Sequence, residues 1–336
     1  MLVDASNCAG DEEAMRFEGL SVSFGGAAVV HDVDLKIGRG EAVGIIGESG
    51  SGKSVAFLAA LGLLPSARVS GSVRLATTEI LHAPRTMLEM IRGRRVAMIF
   101  QNPTGALNPI QRVGTQVVEV LRLHLGMTEK TARAEAMRLF DQVRISDAAR
   151  KLESYPHELS GGQSQRVTIA MALAGRPDII VADEPTTALD AIVQAQILDL
   201  LAEVRRDAGC ALALISHDLA VVARVCRRVY VMHAGRVVET AAVADLFSTP
   251  RHPYSRALLA ASSSLDAAPR HGAERADAAA AIDGVAHGGC AFEPRCGDRL
   301  AECRDRAPPL GFSSRSSHLV ACYRAGVSDL VSEAAE

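Results

Sequence analysis

One stretch of eight residues constrains this chain more than any other. Gly47-Glu48-Ser49-Gly50-Ser51-Gly52-Lys53-Ser54 has the spacing GxxxxGK[ST]. The apolar run "EAVGII" precedes it and the apolar run "SVAFLAALGLL" follows. Glycines at these places let successive backbone N–H groups converge on phosphate oxygens, and the helix that follows turns its positive end toward the same anion. Gly47, Ser49, Gly50, Ser51 and Gly52 form the cradle. Lys53 is placed to reach the β- and γ-phosphates, and Ser54 offers a hydroxyl to Mg²⁺. A chance match in a glycine-rich turn is the competing reading. A strand leading in and a helix leading out from Gly52 count against it.

A second apolar run, "IIVADEP", ends in adjacent carboxylates. Asp183 can hold Mg²⁺ through water, and Glu184 can orient and deprotonate an attacking water. Taken alone, the pair reads as an acidic turn before Pro185; a phosphate loop upstream changes that. Two carboxylates at the end of a buried strand are costly unless a cation joins them. "DIIVAD" (178–183) and "ALALIS" (211–216) read as fully buried parallel strands. Between them "AIVQAQILDLLAEVRRDAG" reads as a helix capped at Gly209. Strand, helix, strand predicts a parallel α/β core. Residues 16–46 alternate as strands, "RVAMIF" (95–100) is a short buried run, and Thr128–Val143 has helical spacing. "RVYVMHAGRVVET" reads as a hairpin about Ala234-Gly235. "IRGRR" (91–95) reads as a solvated loop, since no aromatic platform or basic face accompanies it for nucleic acid.

Composition removes several function classes. A net charge of −3 gives no general attraction to nucleic acid. The longest apolar run falls short of the roughly 18–20 residues that span a bilayer. Residues 1–17 carry Asp4, Asp11, Glu12 and Glu13 and have the pattern of neither a secretory signal nor a lipid anchor. The expectation is a cytosolic chain with reduced thiols.

With these elements in order, the sequence resembles the ATP-binding subunits of ABC transporters. "GESGSGKS" looks like the Walker A loop, "IFQNPTGALNP" the Q-loop with Gln101, and "LSGGQSQR" the signature with Ser160, Gly161 and Gly162. "IIVADEP" looks like Walker B, "TALD" (187–190) the D-loop and "ISHD" the switch with His217. Phe24, in "SVSFGG", stands where the family places a ring against adenine. "TPRHPYSRALLAA" (249–261) and "GCAFEPRC" narrow the resemblance to the oligopeptide/dipeptide importer ATPases, a group that also serves nickel and other small solutes. Two departures stand out. Gln163-Ser164 replaces the usual Met-Arg, and the strap before Cys290 lacks prolines.

The resemblance implies an α/β fold: a P-loop NTPase core with an antiparallel β subdomain, a helical subdomain inserted at about 104–176, and a cysteine-rich C-terminal extension. The implied organisation is a disordered 1–14, an ATPase domain at 15–261, a strap at 262–288, a cysteine tail at 289–325 and a flexible 326–336. It further implies a head-to-tail dimer in which Ser160, Gly161 and Gly162 serve the partner's ATP. Glu184 would be the base, His217 would hold the γ-phosphate, and Gln101 would meet Mg²⁺ or the attacking water. Ser54, Gln101 and Asp183 would form the Mg²⁺ site. The implied partners are a sister ATPase or a second copy, with the heterodimer favoured, two permease subunits, and indirectly an external solute-binding protein. Nucleic acid is not among them. The implied activity is ATP hydrolysis driving peptide uptake at the inner face of a bacterial cell membrane. Uptake of nickel or another solute by the same machinery, and a soluble non-transport ABC ATPase, are the alternatives.

Cys290-x5-Cys296-x6-Cys303-x18-Cys322 gathers four of seven cysteines in a segment with few apolar residues. In a reducing compartment such a group reads as metal ligands, and binding free energy can then substitute for missing burial. Zinc usually brings CxxC knuckles, and none occurs. Wide spacing suits an iron–sulfur cluster, and the resemblance to importer ATPases with this pattern suggests [4Fe–4S]. Zinc, unligated thiols and a disulfide remain alternatives. His318 is expected at the surface, Cys210 and Cys226 in the core, and Cys8 in a loose terminus.

Overall fold

The computed structural model describes residues 13–187, 189–263, 288–312 and 317–325. Cys8, with the rest of residues 1–12, residues 264–287 of the strap and the end at 326–336 lie outside them. Among the described residues the strands, in chain order, are β1 Glu13–Phe24, β2 Ala27–Gly38, β3 Ala42–Ile46, β4 Arg68–Leu75, β5 Thr78–Glu79 and β6 Val96–Ile99. They continue as β7 Ile179–Asp183, β8 Ala211–Ser216, β9 Arg228–His233, β10 Arg236–Ala242, β11 Gly311–Phe312 and β12 Leu319–Val320.

The central sheet has the order β11-β12-β10-β9-β3-β8-β7-β6. From β9 to β6 all neighbours are parallel, with Ala42 opposite Leu212 and Ile179 opposite Ala211. The apolar runs follow from cover on both faces. On β3, β7 and β8, Ile46, Ile180, Ala182, Leu212 and Leu214 enter one core, while Val43, Ile45, Ile179, Val181, Ala213 and Ile215 enter the other. Alternate residues of a strand point to opposite faces, so neither face tolerates polarity.

The antiparallel sheet β2-β1-β4-β5 packs over the second core with the helix Lys53–Ala60. The first core holds the inserted helices Val113–Leu125, Glu129–Gln142 and Gly161–Ala174, and the helix Ala191–Ala208. That last helix buries Ile197, Leu198, Leu200, Leu201 and Val204, each contributing roughly 1.5–3 kcal/mol. Its ends are fixed locally: the Asp190 carboxylate accepts from the Ile192 and Val193 amides, and Gly209 closes it at φ 63°. The β9–β10 hairpin turns at Ala234 (φ 43°) and Gly235 (φ 78°), the positive pair that a tight two-residue turn needs.

Two expectations change. The turn that carries the arginines of "IRGRR" is part exposed, but its guanidinium groups are not left to solvent. Arg92 donates to the Leu61 and Gly62 carbonyls at 2.8 and 3.0 Å, Arg94 donates to Gly175 O at 2.9 Å, and Arg95 pairs with Asp178 at 2.8 Å. Two of them cap helix ends that leave carbonyls without intrahelical partners. His318 is not at the surface either. It is buried, its Nε2 2.5 Å from Oε1 of fully buried Glu239. Pairing of β12 with β10 carries it there, and the Arg251 and His252 amides donate to the same carboxylate at 2.8 and 3.0 Å. The tail therefore joins the central sheet, and Phe292 enters the first core.

Candidate functional site

Four parallel strands deliver their carboxyl ends to one edge of the sheet. β3 runs into the phosphate loop, β6 into Gln101, β7 ends at Asp183 and β8 leads through Ser216 to His217. Crevices at such edges are where open α/β sheets place ligands.

The loop is seated tightly. Gly47 has φ 152°, and a Cβ there would stand 2.1 Å from the Met232 carbonyl. Only glycine fits that approach. Lys53 is buried and folds back into the cradle, its Nζ donating to the Gly47 and Glu48 carbonyls at 2.8 Å and to Ser51 Oγ at 3.2 Å. Burial lowers its pKa, against the opposing charges of Glu184, Asp183 and Glu48. The Ser54 hydroxyl donates to Asp183 Oδ1 at 2.8 Å. Burial raises the Asp183 carboxyl and neighbouring Glu184 adds to that, while the Ser54 bond and Lys53 oppose it. A buried carboxylate beside a hydroxyl, with a proton-binding tendency that a cation would relieve, is a donor set suited to Mg²⁺.

Glu184 sits next door at φ 46°, a left-handed backbone unusual outside glycine and of a kind that collects at functional sites. Its Oε2 accepts from Gln101 Nε2 at 3.0 Å and Thr187 Oγ1 at 2.9 Å, and its Oε1 lies 3.0 Å from His217 Nδ1. Burial alone would raise this carboxyl. Hydrogen bonds from His217 and Thr187, with the charges of His217 and Lys53, outweigh that and hold it below the ordinary range. Ser54 is thus paired with Asp183, Gln101 and His217 gather on Glu184, and the charge of Lys53 couples to both carboxylates. Thr187 belongs in the sequence only to the D-loop pattern; its place three residues after Glu184, across a turn, is the signal of this contact.

Phe24 ends β1 and packs against the second core. Ser160, Gly161 and Gly162 are spent differently. Ser160 caps the helix Gly161–Ala174: its Oγ accepts from the Gln163 amide at 3.3 Å, and Gln163 Oε1 accepts from the Ser160 amide at 3.2 Å. This reciprocal box uses the departure from the usual Met. Gly161 and Gly162 lie against Leu189 and Val193.

Cys290, Cys296, Cys303 and Cys322 line one pocket, with His252, Phe292 and Tyr323 among the other walls. Burial, and then charge on Cys303, Cys322 and Cys296, raises the Cys290 thiol. Among the described residues, no group of three or more His, Cys, Asp or Glu side chains is drawn together as a site for a single metal ion.

A Walker loop, adjacent carboxylates, a glutamine and a histidine on one sheet edge, with a capped signature helix, are the layout of an ABC-type ATPase. The ABC transporter family pattern matches residues 30–187, and that of the oligopeptide/dipeptide transporter C-terminal region matches residues 238–303. The oligopeptide transport ATP-binding protein OppD of Salmonella typhimurium is 44% identical over 303 residues, covering 89% of each chain. The probable D,D-dipeptide transport ATP-binding protein DdpD of Escherichia coli is 43% identical, covering 93% of this chain and 97% of that one. Among solved structures, a dimeric post-hydrolysis state of the ATP-binding cassette MJ0796 bound to ADP and Pi is 29% identical. It superposes with a TM-score of 0.61 over 68% of this chain and 98% of that one. The chain belongs to the family of ATP-binding subunits of oligopeptide/dipeptide ABC transporters.

Proposed function

We propose that this chain hydrolyses ATP as one of two ATPase subunits that drive peptide uptake through a membrane permease. One observation carries the reading: the capped Ser160 helix does not share in the network around Lys53, so its spare amides serve a nucleotide held by a facing subunit. Ser54 and Asp183, with Gln101, would hold Mg²⁺. Lys53 and the loop amides bind the phosphates, Phe24 stacks on adenine, Glu184 takes the proton of the attacking water and His217 braces the γ-phosphate. Relatives named for oligopeptide and D,D-dipeptide transport support a peptide cargo. We favour a sister ATPase as the facing subunit. No described helix is long and apolar enough to cross a membrane, which fits a peripheral subunit bound to the inner face of the cell membrane. The test is co-purification with a permease and ATP-dependent peptide uptake in proteoliposomes. A complex that hydrolyses ATP but moves no peptide would overturn the cargo, and failure to bind any permease would overturn the transport reading.

We further propose that the four tail cysteines hold an iron–sulfur cluster. They come from separate segments of the tail and surround one pocket. The cluster would supply cross-links that knit the tail. Iron and sulfide analysis of anaerobically purified protein tests this; colourless protein carrying zinc would refute it.

A further inference from the structure

The phosphate loop is gripped from outside by the C-terminal segment, and the grip meets it at Glu48. This residue is bonded on three sides. Its amide donates to the Tyr254 hydroxyl at 2.8 Å, and its carbonyl accepts from Lys53 Nζ at 2.8 Å. Its carboxylate faces the Arg295 guanidinium through three N···O approaches of 3.4 Å. Tyr254 and Arg295 stand over 200 residues downstream, yet one ring cluster joins them. Tyr254 packs on His233 at 4.2 Å and on Phe292 at 5.6 Å, and the Arg295 guanidinium lies 5.4 Å from the Phe292 ring centroid. Burial pushes the Tyr254 hydroxyl up to about 12, so it stays a neutral acceptor at working pH. The strand behind it is locked as well: Met232, which abuts Gly47, immediately precedes His233 of the cluster. Arg295 itself ends the short 3₁₀ turn Glu293–Arg295, one residue before Cys296.

We propose that Tyr254 and Arg295 are positioning residues for ATP binding, setting the pose of the phosphate loop and cancelling the one negative charge it carries. Glu48 is acidic in a loop whose task is to bind a highly charged anion, and its charge already bears on Lys53. Arg295 draws that carboxylate outward and offsets it. The pair is half-exposed and long, so it adds little to folding. Its effect falls on the anion instead, where an uncancelled carboxylate repels triphosphate. The inference rests on the loop being the nucleotide site. Lys53→Ala tests that reading separately: wild-type ATP affinity in that variant would remove the site altogether.

The experiment is equilibrium binding of Mg-ATP to the full chain, by calorimetry, with unfolding midpoints measured alongside. Arg295→Ala is expected to weaken binding about three- to tenfold at low salt, with less effect at 0.5 M salt, and with its midpoint unchanged. Arg295→Lys should restore most of the affinity. Glu48→Gln added to Arg295→Ala should restore it too, because no charge then needs cancelling. Tyr254→Phe keeps the ring stack, loses only the acceptor, and should also weaken binding. Unchanged affinity in both Arg295→Ala and Tyr254→Phe overturns the proposal. So does a loss in Arg295→Ala that Glu48→Gln does not repair.

Discussion

Glu184→Gln separates chemistry from assembly at this site more cleanly than any other substitution, because the structure lets glutamine keep every partner that glutamate has. Gln101 and Thr187 both donate to Oε2, while His217 Nδ1 faces Oε1. An amide turned with its oxygen at the Oε2 place accepts from the first two and points its NH₂ at His217. With that imidazole protonated on Nε2, Nδ1 accepts. No hydrogen bond is lost, so the folding cost should stay under about 1 kcal/mol. What disappears is the ability to take a proton. Removing a general base costs about 10²–10⁴ in rate, or about 2.7–5.4 kcal/mol of barrier at 1.36 kcal/mol per tenfold. Phosphate release should fall by that factor while ATP affinity holds and ATP-loaded dimers accumulate in size-exclusion chromatography. Glu184→Ala strands all three donors and should fold less well. Turnover of Glu184→Gln within about threefold of the parent would refute Glu184 as the base.

Other expectations follow from single contacts. Thr187→Val removes a bond that favours ionised Glu184, so the acid limb of the ATPase pH profile should move upward; a fixed limb would sink this. Cys226 is buried, and its thiol is pushed up to about 12. The folded chain therefore keeps a proton that the unfolded chain loses above its ordinary 9.0, and stability present below pH 9 is lost as pH rises. Urea unfolding at pH 8 and 10 should differ by up to about 1.4 kcal/mol more in the parent than in Cys226→Ala. Gly175→Ala places a Cβ 1.6 Å from the Gly93 carbonyl, so backbone must shift at a cost of at least about 2 kcal/mol by the same assay. Lys53→Met leaves Asp183 and Glu184 side by side without the lysine charge that favours their ionised forms. Their proton affinity rises, so the stability lost relative to the parent should widen from pH 5 to pH 7.5 and narrow again with millimolar Mg²⁺.

Most of the site was legible because its chemistry is local in sequence. A cradle for phosphate needs glycine, lysine and serine within eight residues, and the strands that carry it are buried on both faces, which writes unbroken apolar runs. Asp183, Glu184, Gln101 and His217 each end such a run or follow it by a residue or two, and a parallel sheet brings all those ends to one edge. What local pattern cannot carry is the partner of a charge. "IRGRR" looks the same whether its guanidinium groups meet water or the carbonyls of helices that end near residues 61 and 175.

The tail shows the same limit from the other side. Its few apolar residues suggested a segment held together by thiol ligands alone, and His318 looked like a polar residue on a loop. Its folding information is instead shared with the distant chain. β12 pairs with β10 in the central sheet, Glu239 on β10 already receives two backbone amides, and Phe292 fills a place among His233, His252 and Tyr254. Once docked there, Arg295 has no choice but to face the phosphate loop. The cysteine-lined pocket of the tail and the grip on Glu48 therefore meet at the same short turn, with Cys296 immediately after Arg295. Whatever loosens the four cysteines should be felt first as weaker ATP binding, and only then as loss of the fold.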